Sequence, residues 1–276
     1  MKWAPSFASA SRRLQESGSN LIMHFVSNSA DGGGAVSVPP NAFPGQFGGV
    51  LAIDRGDEAW NRALAMSGLP AVRIGYYPMP GPVNMPQVIG DSFGGILRAM
   101  EYLLSRGHKR IALWRATTQH DPRDLNEREK YAAYRFALDE AGIEFKKDWE
   151  ISMPYQWQQV IPNAKKLLAV NPAPTAILVD NDWMTSMILR YPGGEMPLPS
   201  GWHRQFELVH FIDSGRHAIE FGPACAALAM DRMGELAATL LLEQMRGQRF
   251  GSDYVVKVMP YFYSADQVAD LQRKTP

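Results

Sequence analysis

Short apolar runs that stop at an acid or amide, each followed by a stretch with helical spacing, recur along this chain. Residues 49–53 end at Asp54 and lead into a helical pattern over 57–65. Val88 and Ile89 end at Asp91 and lead into a helix predicted over 95–106. Residues 110–114 precede a polar loop and a helical pattern over 127–141. Residues 176–179 end at Asp180-Asn181-Asp182 and lead into 184–189, and residues 207–212 end at Asp213. Strands alternating with helices predict parallel βαβ units. The runs do not alternate apolar with polar, as expected of strands covered on both faces. Gly107, Gly142 and Gly247 each follow a predicted helix, where a glycine supplies the left-handed cap.

This punctuation carries chemistry. In an open parallel sheet, the loops after the strands line the ligand-binding edge, and helix N-termini point free N–H groups into it. Asp54, Asp91, Asp180, Asn181, Asp182 and Asp213 all fall at such positions. Many acceptors with few cations suit a neutral polyhydroxylated ligand better than a phosphate. Each acid also fits the plainer role of an N-cap, and one carboxyl can serve both. Sugar rings stack their C–H faces on aromatics. Trp183 is the best-placed platform, with Trp114, Tyr155 and Trp157 as further candidates that also fit core or rim.

Composition narrows the classes. The 276 residues are 46% hydrophobic and 20% charged, with 28 basic and 28 acidic side chains. That excludes a disordered chain or a coiled coil and argues against a nucleic-acid-binding module, which usually carries a basic excess. The single cysteine, Cys225, lies among alanines and reads as buried filler; a lone cysteine fits a reducing, cytoplasmic setting. No apolar run reaches the roughly 18–20 residues of a membrane span. The six histidines lack metal-ligand spacing, and no nucleophile elbow, P-loop, dinucleotide fingerprint or zinc-protease motif is present, so neither a metal nor a cofactor is expected and the chain reads as a non-enzyme.

Four segments together resemble the effector-binding core of the LacI/GalR family of bacterial transcription regulators. The first has Asp91-Ser92, Gly94-Gly95, Ala99 and then Gly107-His108 followed by Ile111-Ala112; Ser92 stands where the family usually has Asn. The others are Ala133-Tyr134 with Ala137-Leu138 and Gly142-Ile143, then Pro174-Thr175-Ala176-Ile177 with Asn181-Asp182 and Met184, and Met233-Gly234 with Ala237 and Leu240-Leu241.

The resemblance implies a two-lobed, periplasmic-binding-protein-like α/β fold with parallel sheets flanked by helices and ligand in the cleft. The expected lobes are residues 1–116 with 229–248, and 117–228 with 249–276, crossing near 114–118, 225–230 and 247–254. The implied ligand contacts are Asp91 in one lobe and Asn181 and Asp182 in the other. The family's sugar-gripping Arg falls on Lys130, with Arg128 as the substitute because Lys lacks the bidentate fork. Ile212 occupies a usual Asp position, leaving Asp213 to replace it.

The implied activity is sensing of a small effector of the sugar class by a homodimer that couples lobe closure to operator binding. The family's helix-turn-helix headpiece is expected to lie outside this chain. The first core strand is expected to be missing or very short, as in a chain shortened at its N-terminus. Two further readings stand beside this one: a stand-alone binding protein for solute transport or chemoreception, and an α/β enzyme using the carboxylates for acid–base work.

Overall fold

The computed structural model describes residues 3–23, 47–53, 64, 67–78, 85–117, 125–189, 202–212, 223–251 and 253–274. These divide into two compact units: Met1–Gly90 with Met230–Val258, and Asp91–Ala229 with Met259–Pro276. The chain therefore passes between units at Gly90–Asp91, Ala229–Met230 and Val258–Met259.

The first unit is built on a parallel sheet of order β1-β2-β3-β9, where β1 is Val50–Ile53, β2 Ala71–Gly75, β3 Gln87–Gly90 and β9 Val255–Val258. Helix α1 (Ala4–Gln15) packs on α6 (Met230–Met245). Their contact joins Ala10 and Leu14 to Ala238 and Leu242. The helices approach so closely that a Cβ on Gly234 would collide with the Ser6 carbonyl, which explains a glycine inside a helix despite its entropic cost. On β2, the buried Arg73 donates from Nη1 to the Tyr77 carbonyl (2.7 Å) and to Gln87 Oε1 (3.0 Å).

The second unit holds a six-stranded sheet of order β10-β8-β7-β6-β4-β5. Its strands are β4 (Ile111–Ala116), β5 (Glu150–Met153), β6 (Ala176–Val179), β7 (Glu207–Ile212), β8 (Ala224–Ala227) and β10 (Tyr261–Tyr263). All neighbours run parallel except β10, which is antiparallel to β8. The helices are α2 (Ser92–Ser105), α3 (Leu125–Glu140), α4 (Val160–Leu168), α5 (Asp182–Leu189) and α7 (Ala265–Lys274). Val160, Ala164 and Leu167 of α4, with Met184 and Ile188 of α5, cover one face through Ala112, Trp114, Ile151, Ile177 and Val179. Helix α2 packs on α3 and on β7 and β8. The two strand faces are both buried, so the continuous apolar runs are explained by helix cover on each side.

This topology corrects the expected lobe boundary. β4 is hydrogen-bonded between β5 and β6, and α2 packs on that same sheet, so residues 91–116 belong to the second unit. The predicted glycine caps are found at Gly107 (φ +86°), Gly142 (φ +64°) and Gly247 (φ +94°). Most of the helical pattern expected over 57–65 lies outside the described residues. Among the described residues, no helix is long and apolar enough to cross a membrane. Cys225 is buried on β8, and that burial pushes its thiol up to about 12.

Candidate functional site

The carboxyl ends of β4, β6 and β7 and the N-termini of α2, α3 and α5 bring most of the predicted residues to one edge of the second sheet. Asp91 caps α2, its Oδ1 accepting from the Gly94 N–H at 2.9 Å. Ser92 Oγ donates to Asn126 Oδ1 at 2.6 Å, tying the start of α2 to the start of α3. The residue that departs from the expected Asn thus acquires a local structural partner.

Lys130 points inward. Its Nζ donates to Glu127 Oε1 (3.2 Å) and to the Asp180 carbonyl (2.9 Å), and lies 5.1 Å from the centre of the Phe211 ring. Its side chain is only 5% exposed. The reason is helical spacing: Glu127, Lys130, Ala133, Tyr134, Ala137 and Leu138 form the buried face of α3. Arg128 lies on the opposite, exposed face and does not join the cluster.

Asp180 and Asn181 are both buried. Asp180 Oδ1 accepts from the Ala116 N–H (3.2 Å) and from Asn181 Nδ2 (2.7 Å). Asn181 Oδ1 in turn accepts from the Met184 N–H at 2.8 Å, which makes Asn181 the cap of α5. The capping role that the sequence offered to Asp182 therefore belongs to its neighbour, and Asp182 sits half-buried in the first turn. Thr185 Oγ1 donates to the Asn181 carbonyl (3.0 Å) and sits 3.2 Å from His210 Nδ1.

Burial followed by the charge of Glu127 raises Asp180 well above the ordinary carboxylate range. Burial also pushes Glu127 up, but the neighbouring Lys130 ammonium, with the charge of Arg115 adding to it, outweighs burial, and the net shift is downward. Two neighbouring acids are thus driven in opposite directions.

Trp183 is half-buried and meets Tyr155 edge-on, with ring centres 5.1 Å apart. Tyr155 and Trp157 are themselves exposed. Asp213 lies outside the described residues, whereas Ile212 is buried in β7. Asp91 is the first residue of the second unit, so it shares that unit with Asn181 and Asp182 rather than lying across from them. Glu127 was missed as a partner, although its three-residue spacing from Lys130 was available in the sequence. Among the described residues, no group of three or more His, Cys, Asp or Glu could hold a metal ion.

Residues 100–192 match the model of the periplasmic binding protein-like domain. The HTH-type transcriptional repressor PurR of Mannheimia succiniciproducens is 27% identical over 203 residues, covering 71% of this chain and 56% of that protein. The chain spans about half the length of the curated relatives it matches. A structure titled transcriptional regulator CelR-cellobiose complex superposes with a TM-score of 0.66 at 21% identity, covering 95% of this chain and 77% of that one. A LacI transcriptional regulator from a Rhodococcus species gives a TM-score of 0.68 at 17% identity, covering 96% and 93%. The named relatives are HTH-type transcriptional repressors. In fold, motif order and relatives the chain is similar to LacI-family transcriptional regulators, and residues 100–192 match their periplasmic binding protein-like domain.

Proposed function

We propose that this chain senses a small neutral saccharide on behalf of a transcriptional regulator, with the ligand held at the carboxyl edge of the second sheet. The carrying observation is the state of Lys130. Its ammonium is matched internally by Glu127 and by the Asp180 carbonyl, so the buried cation is committed to the protein rather than turned toward an anionic ligand. Asp91 and Asp182 offer half-buried acceptors for hydroxyl groups, and the Tyr155–Trp183 pair offers aromatic surface for a sugar ring. A structural neighbour solved with cellobiose supports the same class.

In this reading Asp91, Asp182 and Trp183 contact the ligand, Asn181 holds the first turn of α5, and Asp213 adds an acceptor after β7. Lys130 supports the site from beneath, and Arg128 serves as a rim cation. The further partners are a second copy of the chain and operator DNA, reached through a helix-turn-helix segment such as the relatives' names declare. Sensing takes place where the DNA is, in the cytoplasm.

A thermal-shift screen tests this reading. The panel sets monosaccharides and disaccharides, cellobiose among them, against sugar phosphates, nucleobases and amino acids. A neutral saccharide at 100 times its Kd should stabilise the fold by about 2.7 kcal/mol. That corresponds to a rise in Tm of roughly 5–10 °C for a chain of this size. Stabilisation only by charged compounds, or conversion of a sugar into product, would contradict the proposal.

A further inference from the structure

We propose that Arg115 and Arg135, joined through Tyr131, form a binding site for a phosphate-class dianion on the flank of the second unit, beside the edge strand β5. Two periodicities bring the residues together. On β4, Trp114 turns into the apolar face that it shares with Ile151 and Val179, so the next residue, Arg115, leaves the opposite face. β5 is the last strand of the sheet and pairs with β4 in the register Arg115↔Ser152, which sets the exposed Ser152 on the same face as Arg115. On α3, Tyr131 and Arg135 are one helical turn apart and share a flank.

The two guanidinium groups meet at the tyrosine. Arg115 Cζ lies 4.7 Å from the centre of the Tyr131 ring. Arg135 Nη1 donates to the Tyr131 hydroxyl at 3.5 Å, and Arg135 Cζ lies 4.1 Å from the centre of the Phe145 ring. Each guanidinium is thus laid against an aromatic ring, which fixes its plane. Among the described residues, the Nε of each is buried without a hydrogen-bond partner. Among the same residues, neither guanidinium forms an ion pair with a carboxylate. The neighbouring acids are committed elsewhere: Glu127 pairs with Lys130 at 3.2 Å, and Glu150 pairs with Lys147 at 2.6 Å. Asp139, one turn beyond Arg135, is exposed. Lys130 of the same helix is matched internally, whereas these two cations are not.

Charge and shape select the ligand. Two like charges fixed around one ring repel each other, and an anion between them offsets that cost. A guanidinium presents a rigid fork of donors that fits the oxygens of an oxyanion. A phosphate monoester group carries roughly −1.5 to −2 charges at pH 7, which matches two cations, whereas a carboxylate brings only one. Ser152 supplies a hydroxyl donor on the same face. The proposal does not rest on the saccharide reading, because a neutral sugar brings no charge to this pair, so the two can fail separately.

The test titrates the full chain with inorganic phosphate, at ionic strength held constant with chloride, and follows the arginine Nε–H groups in nitrogen–proton correlation spectra. The Arg115 and Arg135 signals should shift along one saturating curve. Calorimetry should give a phosphate affinity that falls by about tenfold or more in both Arg115→Met and Arg135→Met. Arg12→Met, on α1 of the first unit, should bind phosphate like the parent. Arg115→Lys and Arg135→Lys keep the charge without the fork and should bind between the parent and the Met variants, which also guards against a Met variant that fails to fold. Glycerol phosphate, run in parallel, separates a free ion from a phosphomonoester, and saturable binding of either supports the site. Unmoved Nε–H signals, equal affinity for acetate, or unchanged phosphate affinity in folded Arg115→Met and Arg135→Met chains overturns the proposal.

Discussion

The second sheet carries a polar cluster at each end, and the two differ chiefly in burial. At the carboxyl end, Glu127, Lys130, Asp180 and Asn181 are all buried. At the amino end, Glu207 is 23% exposed and accepts from Arg106 Nε at 2.5 Å, with His108 Nε2 at 2.7 Å. His108 Nδ1 lies 2.9 Å from Thr175 Oγ1, and the Arg106 guanidinium sits over the Tyr102 ring. Burial pushes Glu207 up, but the bonds and charges of Arg106 and His108 win, and the acid is lowered. At the carboxyl end burial, followed by the charge of Glu127, drives Asp180 up despite the nearby Lys130. Water near the amino-end cluster lets an acid remain an anion at little cost. The dry cluster can hold only as many charges as it can pair.

The largest expected effect follows from removing the buried Lys130 ammonium. Lys130→Met strands Glu127 as a buried anion and should cost about 3–5 kcal/mol in urea unfolding at pH 7. Glu127→Leu with Lys130→Met should recover much of that loss, because no unpaired charge remains. A double variant as weak as the single one would mean that packing, not charge pairing, governs this end of the sheet.

Glu207→Gln at the amino end should cost no more than about 1 kcal/mol, because solvent screens a half-exposed pair. Its pH dependence has the opposite sign to that of Asp180. A lowered acid contributes stability that is present above its ordinary value of 4.5 and is lost as pH falls through the folded value. Glu207→Gln should therefore flatten the acid limb of the stability profile below about pH 5 and leave the neutral region nearly unchanged. Equal losses for Lys130→Met and Glu207→Gln would erase the distinction between the two ends.

The parallel architecture was legible because β4, β6 and β7 are continuous apolar runs closed by polar residues. Helix ends were legible because Gly107, Gly142 and Gly247 adopt the positive φ that favours glycine. β2 was missed because Arg73 interrupts its apolar run, and the partner that accommodates the guanidinium, Gln87, lies on the neighbouring strand. β8 escaped notice because Ala224–Ala227 is made of small residues, which mark no strand by themselves. The site was legible in its positions and less so in its roles. Asn181 and Asp182 were both singled out, but which of them caps α5 depends on the orientation of one amide. The inward turn of Lys130 was available from its three-residue spacing to Ala133 and seven-residue spacing to Ala137. The resemblance to a sugar-gripping arginine pointed the other way.

The smallest expected effect on folding, and the most direct test of the account, belongs to Asp182. It does not cap α5, so Asp182→Ala should change stability by no more than about 0.5 kcal/mol. The decisive measurement is calorimetric titration of parent and Asp182→Ala with the neutral saccharide that gives the largest thermal shift. The account predicts at least a tenfold loss of affinity in a variant that melts with the parent. Unchanged affinity in a well-folded Asp182→Ala chain would contradict a ligand site at the carboxyl edge of the second sheet.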